Sequence, residues 1–354
     1  MFTKILVPVD GSTLAATALS HVLAVTNHQV LITLIRVVET CSSPASLANP
    51  LDWQLQRMEA SAYLDELMVQ CTSTCDAGVE KIIQGGPAAE RILEQAHKQG
   101  HDLIVISSHG RSGLSGWNVS SVAHKVIHRS GVSILLVRSY KHPTSPLLGP
   151  VRAARYQRIL VPLDGSLRSE TVFPVATRLA KQHDAELLFV HGIETPELFQ
   201  KTPLGTEENS LINSVIDHNR RQAEDYFSEL SQRLDVALKT YVLSGEDITE
   251  RLHRFAQEKE VDLVILSAHG RTGRHAWPHG SVTASFIAYG TTHLLIVQDL
   301  PWQATEESSA EQASKENKLA SMPTLGVNAP ASEKGLSATN GFAFHLSDTL
   351  SFLG

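Results

Sequence analysis

The chain has 354 residues, 42% of them hydrophobic and 19% charged, which is enough apolar content for a real core and enough length for two or three domains. A net charge of −7 excludes a nucleic-acid binder relying on broad phosphate neutralisation, though not a local cationic pocket. No apolar leader precedes the opening MFTKILVPVDGS, and no stretch nears the roughly eighteen apolar residues of a membrane span; with only Cys41, Cys71 and Cys75, the expectation is a cytoplasmic protein without disulfides.

Lys4–Val9 reads as a short buried strand, and Ser12 as the cap of a helix carrying Ala15, Ala16, Leu19, Val22 and Leu23 on one face. A strand over Leu31–Val38 follows, then a helix from Trp53 to about Met68 and a strand over Val79–Gln84. Next come a helix over Pro87–Lys98, with Pro at its first turn, and a strand over Leu103–Ser107. A helix over Ser121–Arg129 and a strand over Val132–Val137 close the series. Cys71 and Cys75 stand four apart near a helix end but have no partnering Cys or His pair, so they read as ordinary thiols.

The series then repeats. KILVPVDGS at 4–12 matches RILVPLDGS at 158–166, HDLIVISSHGRSG at 101–113 matches VDLVILSAHGRTG at 261–273, and AERIL at 89–93 matches TERLH at 249–253. The second copy has a longer central helix, around Leu211–Leu234. The expected organisation is a first domain at 1–139, a solvated linker at 140–156, a second domain at 157–299 and a mostly disordered tail at 300–354. Alternating strands and helices predict an α/β fold. It has two tandem doubly wound, Rossmann-like domains, each a five-stranded parallel sheet with helices on both faces. The last strands, Val132–Val137 and Thr292–Val297, would be sheet edges. They are expected to pair with each other, giving a pseudo-twofold unit, or across a homodimer.

Ligands of such sheets sit where the winding reverses, between the loops after the first and fourth strands. In the second copy these are Asp164-Gly165-Ser166 and SAHGRTGRHAWPHGS at 267–281. Gly270 removes a Cβ from the ligand's path, Gly280-Ser281 opens a helix whose N–H groups attract phosphate, and Arg271 adds charge. Neither a Walker loop nor a GxGxxG turn is present. The equivalent stretch of the first copy is SSHGRSGLSGWNVSS at 107–121.

The spacing of Gly270, nine residues, then Gly280-Ser281, together with DLIVISSHGRSGLSG and ILVPVDGS, resembles the universal stress protein family over nearly all of 1–298. The family's nucleotide-binding pattern is Gly, two residues, Gly, nine residues, Gly, then Ser or Thr. Here its first Gly is Ser267 or Ser107 and its third is Gly280 or Ser120, so the second copy keeps the pattern better. The resemblance implies an α/β domain, often dimeric, that binds ATP in some members and no known ligand in others; a bound ATP would carry Mg or Mn on its phosphates. The resemblance assigns Pro162, Leu163, Asp164 and Gly192 to adenine and ribose, and Ser267, Gly270, Arg271, Gly280, Ser281 and Val282 to ribose and phosphates. The weaker first-copy equivalents are Pro8, Val9, Asp10, Val37, Ser107, Gly110, Arg111, Ser120, Ser121 and Val122.

Plainer roles stand beside these. Asp10 and Asp164 are good turn formers. His109 and His269 suit loop orientation better than base catalysis, Trp117 and Trp277 suit either a nucleotide cover or a loop plug, and His124 and His128 suit solvated helix positions. No set of base, nucleophile or metal cage is legible. Three functions follow: a nucleotide-binding stress or signalling protein read by its other half or a partner protein, an interaction module without nucleotide, or a slow ATP hydrolase or nucleotidyl-transferring enzyme.

Overall fold

The computed structural model describes residues 2–26, 30–39, 50–74, 77–110, 119–138, 151–195, 206–271 and 279–299. Arg111, Trp117, Trp277, Cys41, Cys75 and the segment 300–354 lie outside the described residues. The first half runs β1 (Lys4–Pro8), α1 (Thr13–Ala16), α2 (Ala18–Val25), β2 (Leu31–Val38), α3 (Pro50–Thr72), β3 (Gly78–Gly85), α4 (Ala88–Gln99), β4 (Leu103–Ser107), α5 (Ser121–Arg129) and β5 (Ser133–Val137). The second half runs β6 (Arg158–Leu163), a 3₁₀ turn (Ser169–Val172), α6 (Phe173–His183), β7 (Glu186–Glu194), α7 (Thr206–Arg233), β8 (Leu238–Gly245), α8 (Ile248–Glu258), β9 (Leu263–Ser267), α9 (Ser281–Tyr289) and β10 (His293–Val297).

Within each half all strands are parallel, and the winding reverses between the first and fourth, β1/β4 and β6/β9. The two five-stranded layers form one sheet, ordered β3-β2-β1-β4-β5-β10-β9-β6-β7-β8. Its one antiparallel junction is β5 with β10, where Leu136, Leu135 and Ile134 face Leu294, Leu295 and Ile296. The two strands expected as edges therefore cover each other.

Strand alternation feeds two cores, one on each face. Ile5, Val7, Leu135, Leu295 and Ile265 pack with α2, α3, α6 and α7; Leu6, Ile134, Leu136, Leu294 and Ile296 pack with α4, α5, α8 and α9. Both cores draw residues from both halves, so apolar burial runs unbroken across the junction.

Two local expectations are corrected. The helix expected after Ser12 is broken: Ser12 caps α1 through Ala15 N at 3.1 Å, but the Thr17 hydroxyl turns back onto the Leu14 carbonyl at 2.6 Å and α2 starts afresh. In the second half the same place is a 3₁₀ turn, and α6 begins at a Pro in its first turn. The described part of the linker, 151–156, lies against the first half while keeping its arginines, Arg152 and Arg155, in solvent. Ala154 N donates to Ser20 O at 2.8 Å and Val151 O accepts from Thr74 Oγ1 at 3.1 Å.

Tyr156 ends this segment 1% exposed, its hydroxyl 2.9 Å from His21 Nδ1. His183 of α6 reaches back to Ala24 O at 2.9 Å, as does Gln182 Nε2 at 2.9 Å. Burial raises the Tyr156 phenol far out of its titration range. Cys71, in the last turn of α3, is buried in the first core. Among the described residues, no helix is long and apolar enough to cross a membrane.

Tyr156→Phe removes one buried hydrogen bond between the halves at almost constant volume. It should cost about 1 kcal/mol, read as a lower urea midpoint of the full chain with an unchanged transition slope.

Candidate functional site

Because β6 and β9 diverge at the winding reversal, their loops and the first turn of α9 enclose a cleft of 610 Å³. Pro162, Leu163, Asp164, Gly192, Ser267, Gly270, Arg271, Gly280, Ser281 and Val282 all line it. The equivalent cleft of the first half measures 530 Å³ and is lined by Pro8, Val9, Asp10, Val37, Ser107, Gly110, Ser120, Ser121 and Val122. Both volumes fall within the span usual for small-molecule sites, roughly 300–1,000 Å³.

Asp164 ties the two loops together. Its Oδ1 accepts from Ser166 N at 2.9 Å and Ser166 Oγ at 2.6 Å, and its Oδ2 accepts from Arg271 N at 2.5 Å. Burial raises its pKa, but donation from Ser166, Arg271 and Ser169 outweighs that and holds the carboxyl below its ordinary value. A Cβ built at Gly270 would collide with Asp164 Oδ2, and one at Gly110 with Asp10 Oδ2. These glycines thus make room first for their own carboxylate. The Arg271 guanidinium donates to the Asp164 carbonyl, so it braces the loop at the cleft wall. The Ser267 and Ser107 hydroxyls likewise donate within their own loops, to His269 O at 2.6 Å and His109 O at 2.5 Å.

The helix openings differ between the halves. Ser120 caps α5, its hydroxyl accepting from Ala123 N at 3.3 Å. Gly280 opens α9 with φ −68°, which any residue adopts, and no side chain caps that helix. The N–H groups of Ser281, Val282 and Thr283 have no acceptor within the helix, and they start at the cleft wall. A Cβ at Gly280 would meet only ordinary contacts, Gly270 N at 3.6 Å being the nearest.

His269 is tied to a carboxylate, as suits loop orientation: Nδ1 lies 2.8 Å from Asp299 Oδ1. His109 instead faces Ser108 Oγ at 3.0 Å. His124 is exposed, as expected of a solvated position, but His128 is half-buried, its ring 5.5 Å from that of His279. Burial, with repulsion from His128 and His269, pushes His279 down to about 3. No cluster of three or more His, Cys, Asp or Glu able to hold a metal occurs among the described residues.

The sequence profile of the Universal stress protein family matches residues 1–138 and again 155–298. This chain belongs to the universal stress protein family. It is 30% identical over 148 residues to YxiE of Bacillus subtilis, covering 39% of this chain and all of that protein. It is 26% identical over 143 residues to a universal stress protein of Methanocaldococcus jannaschii, covering 40% of this chain and 82% of that one. The crystal structure of a universal stress protein from Archaeoglobus fulgidus superposes with a TM-score of 0.56 at 15% identity, covering 83% of this chain and 96% of that one, a likeness of fold.

Several cleft residues of this universal stress protein tandem escaped the sequence reading. Asn219, Gln222 and Tyr226 of α7 line the second cleft, and their three- and four-residue spacing on one helix face was the available signal. His191 lines it too, Nδ1 2.9 Å from Leu163 O. Burial chiefly, and the nearby Arg271, lower its pKa and keep the ring neutral. At the matching place in the first half Arg36 lies over the Tyr63 ring, 5.6 Å from its centroid. The walls trade volume as well. A Cβ at Gly192 would strike Ile248, whereas the first half sets Val37 against Ala88.

Two outcomes test this geometry. Gly270→Ala should displace the loop from Asp164 and cost at least about 2 kcal/mol, whereas Gly280→Ser should gain a few tenths of a kcal/mol by restoring a cap. Paired urea titrations read both. Because the Asp164 carboxyl is depressed, its contribution is complete above the unfolded value of 3.8 and is lost as the pH falls through the lower folded value. Asp164→Asn should therefore lower the midpoint at pH 7, and the gap to wild type should shrink on acidification below pH ~4.

Proposed function

We propose that the second cleft binds an adenine nucleotide, ATP in particular, and that the chain is a nucleotide-responsive stress or signalling protein. The observation that carries this reading is the uncapped start of α9 at the wall of the second cleft. Three N–H groups and the positive helix end meet there beside Gly270 and Ser281. The phosphates would lie against Gly280, Ser281 and Val282. Adenine and ribose would lie against Pro162, Leu163, Asp164 and the Gly192–Ile248 wall. A divalent ion, Mg or Mn, would be held by phosphate oxygens.

Binding suits this site better than turnover. Asp164 is occupied by three donors, so its carboxylate is not placed as a free base. The first half supports a second reading, an interaction module, because Ser120 already takes the Ala123 N–H and Arg36 lies within its cleft.

Nucleotide released by denaturing the purified chain should amount to about one adenine nucleotide per chain. Gly280→Ser should lower the affinity for added ATP about tenfold, since its hydroxyl competes for the N–H groups a phosphate would use. A chain that yields no nucleotide and shows no heat of binding with ATP would leave the interaction module standing.

A further inference from the structure

Arg138 follows β5 of the first half and is 1% exposed. Its guanidinium crosses the junction and donates to the carbonyls of Phe286 at 2.7 Å and Ile287 at 2.9 Å, in the last turn of α9. Its backbone N–H donates to His293 Nδ1 at 3.1 Å, on β10. A cation at the C-terminal end of a helix meets the negative pole of the helix; here it adds a second donor to the Phe286 carbonyl, which also accepts from Gly290 N at 3.0 Å, and a donor to that of Ile287. The α9 sequence SVTASFIAY has no basic residue in its last turn, whereas α5 carries its own His128 and Arg129 there. At the position equivalent to Arg138 the second half has Gln298, whose backbone N–H donates to Ser133 Oγ at 3.1 Å. The arrangement is therefore one-way: the first half charges the helix of the second, and the second does not return it.

We infer that Arg138 is a positioning residue, supplied by the first half, for the anion site that opens α9 in the second. The inference rests on the reading of the second cleft as a nucleotide site. α9 has nine residues, no side-chain cap at its start and a borrowed cation at its end. An anion bound at Ser281–Thr283 and Arg138 at Phe286–Ile287 act on opposite poles of one short rigid element. Each fixes the helix that the other needs. By linkage, whatever Arg138 contributes to nucleotide affinity the nucleotide returns to the junction. Occupancy of the second cleft thus reaches the strand pair that joins the halves.

The test uses the full chain, with ATP and Mg as the probe and amide exchange as the readout. In wild type, ATP should slow exchange through the last turn of α9 and in residues 133–138, with α5 as the internal control. Arg138→Gln, which copies the residue of the second half, should raise the ATP dissociation constant roughly fivefold or more and confine protection to residues 281–284. Arg138→Lys should recover part of the affinity, because it keeps the charge but not the two-carbonyl geometry. Wild-type affinity in a folded Arg138→Gln protein would overturn the inference. So would wild-type protection that stops at the first turn of α9, a result that stands even where the variant does not fold. Wild-type protein that takes up no ATP overturns the nucleotide reading itself, and the coupling with it.

Discussion

The fold depends on the antiparallel contact of β5 with β10. Each strand is buried along its whole length and ends its own five-stranded layer, so either one alone would present an apolar edge with a free row of N–H and C=O groups. Only three residue pairs make the ladder, Ile134 to Leu136 against Ile296 to Leu294. Such a short ladder is held because both cores run through it and because polar contacts clamp it from either side. Tyr156 with His21 and His183 with Ala24 lie toward one face, and Arg138 with α9 toward the other. Joining the copies in one chain makes this contact intramolecular, which raises its effective concentration without any new contact.

That covalent joining also releases a constraint. In a symmetric homodimer every residue occurs on both sides of the axis, so no position can differ from its mate. Here each occurs once, so the two halves are free to differ, at the clefts and at the junction alike. Ser120 stands against Gly280, Arg36 against His191, Val119 against His279 and Arg138 against Gln298. The first half has a capped helix and a guanidinium inside its cleft, while the second has an open helix and a neutral imidazole. The backbone plan is shared while these polar groups differ, as covalent joining of the two halves allows.

The repeats, the strand-helix alternation and the pairing of the last strands were all legible, because each rests on local periodicity or on an edge that must be covered. The reasons behind individual residues were less so. Gly270 reads from sequence as room for a ligand, yet the atom it avoids belongs to Asp164, more than a hundred positions earlier. Ser267 reads as a ribose contact, yet its hydroxyl closes on His269 O. Tyr156 sits in a stretch of prolines and arginines that looks like a connector, and its burial follows from partners elsewhere in the chain, His21, His183 and the core between them. Pattern identifies elements. It does not identify a polar partner that the chain brings from elsewhere.

The same limit hid how the second cleft is braced. Asp299 comes just after β10, its side chain fully buried, and it accepts from His269 in the loop after β9 while Arg168, in the loop after β6, stands 3.8 Å away. Burying a carboxylate removes its hydration, and such neighbours offset part of that loss. Both cleft loops are therefore anchored to one residue at the end of the junction strand, and α9 is anchored to Arg138 at the end of the strand it pairs with. The first half has Ser139 where the second has Asp299, so it has no carboxylate at that position. The rigidity of the second cleft is thus drawn from the junction itself, and a site built in this way cannot loosen without also loosening the contact that joins the halves.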